Sequence, residues 1–335
     1  MRVGVVHNAI APGESDPSTL DVLEQAQYVC EALSQAGHEA RCFTLDRDVR
    51  ELLDTLLPWR PECIFNLVES IGGHAALHPC AAALWELLGI PHTGASTRAL
   101  EQATDKDVAK IILRAAGIPT PSWRAVQYDA RRVHSDNPNL EIPLPCILKP
   151  ASEDASLGID QESVVRDPAL FEGRLADLRA RFPRQKIVVE QFIEGREFNV
   201  SVIGTPQGPR VLPPAEMTFL DFPPGLERIM GYRAKWDPTA PEFDRTVRRF
   251  DLPAEDDALV ARLKEIAGRC WRAFGLHGYA RVDLRVDAAG EPYVIEINPN
   301  PCISPDAGFI AAVERAGITP ADLMRTILED VVWIP

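Results

Sequence analysis

The chain has 335 residues, 46% hydrophobic and 25% charged, enough for two or three globular domains with cores of their own. Asp and Glu outnumber Lys and Arg by 49 to 35, and the net charge of −14 argues against a nucleic-acid partner. No apolar run approaches the roughly 20 residues that cross a bilayer, and the N-terminal run 3–6 is too short for a signal peptide. We therefore expect a cytoplasmic protein that acts on small molecules, with no membrane partner.

The first 94 residues alternate between short β-rich runs and helical periods, which is typical of a parallel sheet covered by helices. An apolar stripe from Leu20 to Leu33, followed by Gly37, predicts the first helix and its end. The predicted strands cover 3–6, 40–45, 63–68 and 90–93, and two further helices cover 46–58 and 75–88.

The rest of the chain predicts mixed α and β structure. We expect helices at 97–116, 168–181, 255–274 and 320–332. We expect strands at 123–126, 146–148, 187–190, 197–203, 211–217, 280–286 and 292–297. The polar stretch 128–141 predicts an irregular surface loop, and the Pro-rich stretch 221–253 predicts a mobile flap rather than a packed element.

The common nucleotide and hydrolase motifs are missing from the sequence. No two of the 21 glycines are separated by a single residue, and no Gly-Lys pair occurs, so Gly-x-Gly-x-x-Gly and the P-loop are both excluded. Neither Gly-x-Ser-x-Gly nor His-Glu-x-x-His is present. The seven cysteines are scattered without a Cys-x-x-Cys pair, which predicts free thiols.

A predicted hairpin near the C-terminus carries the most informative polar pattern. Two alternating runs flank the turn 287–290, with Val282, Leu284 and Val286 on one face of the first strand and Tyr293, Ile295 and Ile297 on one face of the second. With an even loop length, the polar face would gather Arg281, Asp283, Glu296 and Asn298. Carboxylate and amide oxygens suit Mg²⁺, while a solvated hairpin face is the alternative.

Three lysines lie at positions from which their ammonium groups could bind phosphates. Lys106 opens a helix, Lys149 ends a strand, and Lys235 lies in the predicted flap. After Lys149, the small residues up to Ser156 and Gly158 form a loop whose amides could cover phosphates. An ordinary surface lysine beside an ordinary loop is the competing interpretation.

Taken in order, these segments resemble the ATP-grasp superfamily, and the D-alanine-D-alanine ligase family in particular. The matching segments, with His92-Thr93-Gly94 ahead of them, are Thr104-Asp105-Lys106, Gly117-Ile-Pro-Thr-Pro121, Ile147-Leu-Lys149-Pro150, Ser156-Leu-Gly158, Val189-Glu190-Gln-Phe-Ile-Glu-Gly195-Arg-Glu197, Arg281-Val-Asp283 and Glu296-Ile-Asn298. The resemblance covers nearly the whole chain, and the ordered set is far more specific than any one member.

The resemblance implies an α/β (α+β) ATP-grasp fold of three domains. Residues 1–96 would form an N-terminal parallel-sheet domain, 97–190 a central lobe, and 191–335 a C-terminal lobe with the metal site. ATP would lie between the antiparallel sheets of the two lobes. The family also implies a homodimer.

The family's site residues carry over position by position. Lys106 and Lys149 would reach the phosphates of ATP, and Glu197 would hold the ribose. The hinge beside adenine would be Glu190, Gln191, Phe192 and Ile193. Asp283, Glu296 and Asn298 would bind two Mg²⁺ ions. The loop at Ser156 would close over the phosphates, Lys235 would approach the γ-phosphate, and Arg281 would stabilise the oxyanion.

The implied activity is that of an ADP-forming carboxylate-amine ligase. A carboxylate is phosphorylated by ATP to an acyl phosphate, and an amine then attacks the acyl carbon. We expect amino acids or amino-acid-like substrates. A D-alanine-D-alanine ligase and a non-catalytic ATP-binding regulator are the alternatives, and retention of Arg281, the three metal ligands and the three lysines argues against the regulator.

Several positions that touch substrate in the family differ in this chain. Trp236 replaces the flap tyrosine, Ala155 the first serine of the phosphate loop, and Cys302 a glycine near the reacting carbonyl. Where the family has a Gly-Gly turn after its first strand, this chain has His7-Asn8. The family's His-Gly segment is replaced here by Glu69-Ser70-Ile71-Gly72-Gly73-His74. Trp236 and Cys302 are therefore candidate substrate contacts. Asp21, with Glu14 as an alternative, is the candidate partner for an amino-acid ammonium, although acidic residues are also favoured at helix starts.

Overall fold

The computed structural model describes residues 1–126, 133–134 and 142–332 and contains three separate sheets. One sheet is parallel, and the other two are antiparallel throughout. The parallel sheet falls in the predicted N-terminal domain and the last sheet in the predicted C-terminal lobe, while the middle sheet ends at Gln191, one residue beyond the predicted lobe boundary. The mixed α/β fold class is confirmed.

The N-terminal sheet has three strands in the order β2-β1-β3. Its elements are β1 (Arg2–Asn8), α1 (Pro17–Gln35), β2 (Glu39–Leu45), α2 (Val49–Trp59), β3 (Cys63–Asn66) and α3 (Pro79–Leu88). The predicted fourth strand at 90–93 is wrong, because His92 makes only isolated bridges with Ile64 and Val332. The predicted helix 75–88 starts as a short 3₁₀ turn, Ala75–Leu77, and continues as α3 from Pro79.

The predicted single helix 97–116 is two helices, α4 (Thr97–Thr104) and α5 (Lys106–Ala115). Asp105 has an extended conformation, and its carboxylate accepts hydrogen bonds from the amides of Asp107 and Val108. A side chain that caps the following turn competes with the continuous helix. This break places Lys106 at the first position of α5, where its amide donates to the Ala151 carbonyl at 2.9 Å.

The central sheet has the strand order β5-β4-β8-β6-β7. Its elements are β4 (Trp123–Val126), β5 (Val133–His134), β6 (Cys146–Pro150), β7 (Val164–Val165), α6 (Phe171–Arg181) and β8 (Ile187–Gln191). A 3₁₀ turn, Pro168–Leu170, precedes α6, so the predicted helix 168–181 begins later as α-helix. Apart from β5, the predicted surface loop 128–141 lies outside the described residues.

The C-terminal sheet has the order β12-β11-β9-β13-β14, with β10 paired to β9. Its strands are β9 (Arg196–Ile203), β10 (Arg210–Val211), β11 (Ala215–Phe219), β12 (Thr246–Arg249), β13 (Tyr279–Val286) and β14 (Pro292–Asn298). Its helices are α7 (Tyr232–Trp236), α8 (Asp257–Phe274), α9 (Gly308–Arg315) and α10 (Pro320–Glu329). The predicted flap 221–253 therefore holds a short helix and a strand paired with β11, which corrects its description as an unpacked segment.

The β13–β14 hairpin has the predicted pairing on its polar face. Arg281 lies opposite Asn298, and Asp283 lies opposite Glu296. The register then shifts between Asp283 and Leu284, so that Leu284 opposes Val294. Because of this bulge, Val294 rather than Ile295 enters the core beside Ile297, which corrects the predicted apolar face of β14.

The largest apolar cluster packs α4, α5 and α8 against one face of the C-terminal sheet. Val282, Leu284 and Val286 supply this face from β13, and all three are buried. Since neighbours along a strand alternate in direction, the opposite face of β13 is left to polar side chains. In the described part of the chain, no helix combines the length and apolarity needed to span a bilayer. All seven cysteines are free thiols, as predicted.

Candidate functional site

A cavity of about 270 Å³ lies between the polar face of the C-terminal sheet and the central sheet. All sixteen residues predicted for the site line this one cavity. They are Arg281, Lys235, Ser156, Lys106, Lys149, Glu190, Gln191, Phe192, Ile193, Glu197, Asp283, Glu296, Asn298, Asp21, Trp236 and Cys302. Glu14, the alternative to Asp21, is not among the lining residues, and its carboxylate instead accepts from the Ser15 and Asp16 amides.

Arg281 and Asp283 form a two-pronged ion pair on β13. The Arg281 Nε lies 2.7 Å from Asp283 Oδ1, and its Nη2 lies 2.8 Å from Oδ2. Asn199 on β9 donates its Nδ2 to the same Oδ1 at 2.8 Å. Burial acts to lower the pKa of Arg281, but Asp283 outweighs this effect and holds the pKa above its ordinary value. The guanidinium is therefore fixed in both charge and direction.

Glu296 faces Asp283 across the hairpin and pairs with the first lysine. Its Oε1 lies 2.8 Å from Lys106 Nζ, which also donates to the Glu153 carbonyl at 2.6 Å. Although burial acts to raise the pKa of Glu296, Lys106 and Lys149 outweigh it and lower the pKa to about 2. Glu296 is thus ionised at every ordinary pH.

The three predicted metal ligands offer two carboxylates and one amide on a single face. Asn298 Oδ1 is oriented by the Asn300 amide at 2.9 Å. Within the described ranges, no group of three His, Cys, Asp or Glu residues forms a metal site, so any ion here would depend on the amide as third ligand. Such a hard-oxygen set fits Mg²⁺, which completes its octahedron with water and phosphate oxygens.

Glu190 joins two buried lysines at the inner wall of the cavity. Its Oε1 lies 2.7 Å from Lys149 Nζ, and its Oε2 lies 2.5 Å from Lys110 Nζ. The exposed fractions of Glu190, Lys110 and Lys149 are 2%, 2% and 5%. Burial acts to raise the pKa of Glu190, but the two lysines hold it below its ordinary value. Burial also lowers the pKa of Lys110 to about 8.

The other end of the cavity combines an apolar cleft with a buried ion pair. Phe192 packs with Ile147 and Ile229, and the guanidinium of Arg285 lies 4.6 Å from the centre of the Phe192 ring. Arg285 Nη1 donates to Glu197 Oε2 at 3.2 Å. Burial raises the pKa of Glu197, while Arg285 acts in the opposite direction. A flat apolar cleft beside an anchored carboxylate suits a planar base and its sugar.

The segment 221–253 closes the cavity through α7. Trp236 Nε1 donates to the Ala155 carbonyl at 3.1 Å, and Ser156 Oγ donates to the Met230 carbonyl at 2.8 Å. Lys235 Nζ lies 4.7 Å from the centre of the Trp236 ring. Burial lowers the pKa of Lys235, and Arg281 lowers it further. The loop at Ser156 and the α7 segment thus close on one another over the cavity.

Asp21 on α1 reaches the cavity from the N-terminal domain. Its Oδ2 accepts from Gln25 Nε2 and from the Cys302 thiol, each at 3.0 Å, and its Oδ1 accepts from Ser304 Oγ at 2.7 Å. Burial and Asp21 raise the pKa of Cys302 to about 12, which keeps the thiol protonated as a donor. Asp21 is therefore held rigidly at the cavity wall.

Sequence reasoning missed five polar residues at or beside the site. Lys110 lies one helical turn after Lys106, and Arg285 lies on the same face of β13 as Arg281 and Asp283, so helical and strand periodicity could have found both. Arg285, Asn199, Arg248 and Asp306 line the cavity, whereas Lys110 contacts it only through Glu190. Arg248 belongs to β12, inside the segment 221–253 that the sequence predicts to be a flap.

A cavity between two antiparallel sheets, with lysines and arginines facing paired carboxylates, defines an ATP-grasp ligase. Comparison with known families matches residues 112–329 to the C-terminal region of D-ala D-ala ligase. This match covers more than half of the chain, so the protein belongs to the D-alanine-D-alanine ligase family. It is an ATP-dependent, ADP-forming ligase that joins a carboxylate to an amine.

Relatives extend the similarity to the N-terminal domain. An uncharacterised protein, y4sG, of Sinorhizobium fredii is 30% identical over 97% of this chain and 93% of its own length. The D-alanine-D-alanine ligase of Carboxydothermus hydrogenoformans is 28% identical over 98% of this chain and 97% of its own. In fold, the chain is similar to a crystal structure of the Bacillus anthracis D-alanine-D-alanine ligase complexed with ATP. The TM-score is 0.75 at 23% identity, with 98% and 96% of the two chains covered.

Proposed function

We propose that the protein joins two amino acids or amino-acid-like molecules through an acyl-phosphate intermediate, releasing ADP and phosphate. The observation that carries this proposal is the polar face of the β13–β14 hairpin. There Arg281, Asp283 and Glu296 stand opposite Lys106 and Lys149 from the other lobe, inside one cavity. We also retain the three predicted domains, with boundaries after residues 96 and 190, as its domain organisation.

The cationic groups of the cavity suit the phosphates of a nucleotide. Lys106, Lys149 and Lys235 reach it from α5, β6 and α7, and Arg281 lies beyond them on β13. A negatively charged carboxylate must approach the equally negative γ-phosphate, so these cations reduce the repulsion and hold the two reactants together. Adenine would occupy the cleft at Phe192 along the segment Glu190 to Ile193, and Glu197 would bind the ribose.

Two Mg²⁺ ions would be held by Asp283, Glu296 and Asn298. When bound, Mg²⁺ would neutralise phosphate charge. In the structure, Arg281 pairs with Asp283 and Lys106 pairs with Glu296, so both carboxylates are already oriented. This set of two carboxylates and one amide therefore fits the ions by its chemistry.

Amide formation needs stabilisation of negative charge on the carbonyl oxygen. After the acyl phosphate forms, an amine attacks its carbonyl carbon, phosphate leaves, and the amine loses a proton. Arg281 is the guanidinium that lies beside the proposed metal ligands, and Asp283 holds it by two hydrogen bonds. We assign to it the stabilisation of the oxyanion. Ser156 and Lys235 close the site and exclude water during the life of the intermediate.

A D-alanine-D-alanine ligase is the second candidate, and the named relatives favour it. A non-catalytic ATP-binding regulator is the third, although binding alone would not require the Arg281–Asp283 arrangement. A homodimer and a cytoplasmic location remain predictions.

The test is an assay of ADP release with Mg²⁺-ATP over a panel of single amino acids and amino-acid pairs of both configurations. We expect ADP release that depends on the amino acids, and Arg281→Ala should lower kcat by about 10²–10³-fold. Turnover with D-alanine alone would support the second candidate. ATP binding without ADP release from any acid would contradict the proposal and support the regulator.

A further inference from the structure

A small annex of about 50 Å³ adjoins the main cavity and shares six lining residues with it, Asp21, Ala155, Lys235, Trp236, Asn298 and Cys302. It lies between the N-terminal domain and the loop that precedes Ser156. Besides Asp21, its walls carry Glu69 and Asp154, two acidic residues to which the proposed reaction gives no role. The volume is enough for a small charged group but not for a second nucleotide.

Two of the three annex carboxylates, Asp21 and Glu69, accept hydrogen bonds from neutral donors. Gln25 Nε2 donates to both Asp21 Oδ2 and Glu69 Oε1, each at 3.0 Å. Among the residues that the structure describes, no Lys, Arg or His forms an ion pair with Asp21, Glu69 or Asp154. At longer range, Lys106 and then Lys235 act to lower the pKa of Asp154, and Lys235 acts to lower the pKa of Glu69.

Three gathered carboxylates with little compensating charge are costly to keep ionised. Burial, together with the neighbouring Asp21, raises the pKa of Glu69 to about 7. Burial likewise raises the pKa of Asp154. A bound cation would stabilise the ionised form of both groups. When Lys106 and Lys235 bind phosphates, their positive charge no longer compensates the annex carboxylates.

A buried histidine provides an independent sign that the annex is built for a ligand. His78 is 3% exposed, and its Nδ1 donates to the Ala75 carbonyl at 3.2 Å. That bond leaves Nε2 as an acceptor, and Nε2 is buried with no hydrogen-bond partner. Burial lowers the pKa of His78, so the imidazole stays neutral. A lone acceptor beside three carboxylates matches a ligand that only donates hydrogen bonds.

We infer that one of the two substrates is an amino acid with a second positive charge, and that the annex of Asp21, Glu69, Asp154 and His78 binds this cationic group. The inference rests on the proposed function. One carboxylate suffices for the α-ammonium of a neutral amino acid, whereas the annex offers three together with the His78 acceptor. An ammonium of a short basic side chain supplies three donors and one positive charge.

Ornithine and norvaline test this inference, since they differ only in the terminal ammonium. ADP release is measured with each, in both configurations, alone and paired with alanine. For one configuration we expect kcat/KM for ornithine to exceed that for norvaline by about 10-fold to 100-fold, the usual effect of a charge-assisted hydrogen bond. Glu69→Gln and, separately, Asp154→Asn should bring this ratio towards one. The matched control is Glu24→Gln, an exposed residue on α1, which should keep the ratio.

Two results would overturn the inference. One is turnover in which norvaline or alanine equals or exceeds ornithine in the unmodified protein. The other is an ornithine preference that survives both annex variants. Either result leaves the ligase function intact, whereas absence of ADP release with every amino acid would overturn the proposed function and this inference together.

Discussion

The Lys110–Glu190–Lys149 cluster makes Glu190→Gln the most informative stability variant. The substitution keeps the size of the side chain but removes the negative charge between two lysines that are almost completely buried. Because each lysine would then lie in the interior without its carboxylate, both should resist protonation or force local opening.

The distances set the size of the effect. At 2.5 and 2.7 Å, and with an effective dielectric constant of ~20, each attraction amounts to about 6 kcal/mol before desolvation is subtracted. Removing one partner of a buried pair typically costs about 3–5 kcal/mol. At ~2 °C per kcal/mol for a large chain, the unfolding midpoint should fall by about 6–10 °C.

Thermal unfolding of three variants tests this reasoning. Glu194→Gln is the matched control, since Glu194 pairs with Arg166 at the surface at 2.8 Å and should contribute less than about 1 kcal/mol. The double variant Lys110→Met/Glu190→Gln should be more stable than Glu190→Gln alone, because only one buried lysine then lacks a partner. Equal midpoints for Glu190→Gln and Glu194→Gln would refute the argument.

Three other contacts lead to further predictions. The pKa of Glu296 in the folded protein is about 2, below its ordinary value of 4.5. The ionised carboxylate therefore stabilises the fold by about 3 kcal/mol above pH ~4.5, and this stabilisation is lost as the pH falls towards 2. In acid titrations followed by circular dichroism, the difference in stability between the unmodified protein and Glu296→Gln should narrow over this range. The Tyr232 hydroxyl donates to the Asp16 carboxylate at 2.8 Å. Tyr232→Phe should therefore lower the free energy of opening segment 221–253 by about 1 kcal/mol and speed tryptic cleavage there about fivefold. An unchanged cleavage rate would show that this hydrogen bond does not hold the segment. The Sγ atoms of Cys30 and the exposed Cys42 lie 2.9 Å apart, and Cys30 lowers the pKa of Cys42 to about 7. Cys42 should therefore be the first thiol to react with a disulfide reagent, and Cys30→Ser should slow this reaction about tenfold. Labelling that starts at another cysteine would contradict this prediction.

The polar face of the hairpin could be predicted because strand alternation needs only local sequence. Asp283 and Glu296 lie opposite each other as expected, and the order of short motifs pointed to the one cavity that the site residues line. The bulge at Ile295 could not be foreseen in the same way. Thr120 and Pro119 contact the backbone of Val294, and such a tertiary contact leaves no periodic trace in the strand.

Segment 221–253 shows a second limit of sequence patterns. Strand β12 has only four residues, partly exposed and charged, and it forms because β11 offers an open edge. The surrounding prolines argue against a strand, so the sequence predicted neither this pairing nor the position of Arg248 in the cavity. The break at Asp105 differs from the predicted single helix 97–116, but it has a local cause that the sequence does contain, an aspartate able to cap the next turn.

Transfer of ¹⁸O from the substrate carboxylate tests the central claim most directly. An acyl-phosphate route predicts that each turnover moves one labelled oxygen from the carboxylate into the released phosphate, with ADP as the nucleotide product. Label found in AMP, or phosphate without label during amide formation, would contradict the account, because the carboxylate would then have been activated in another way.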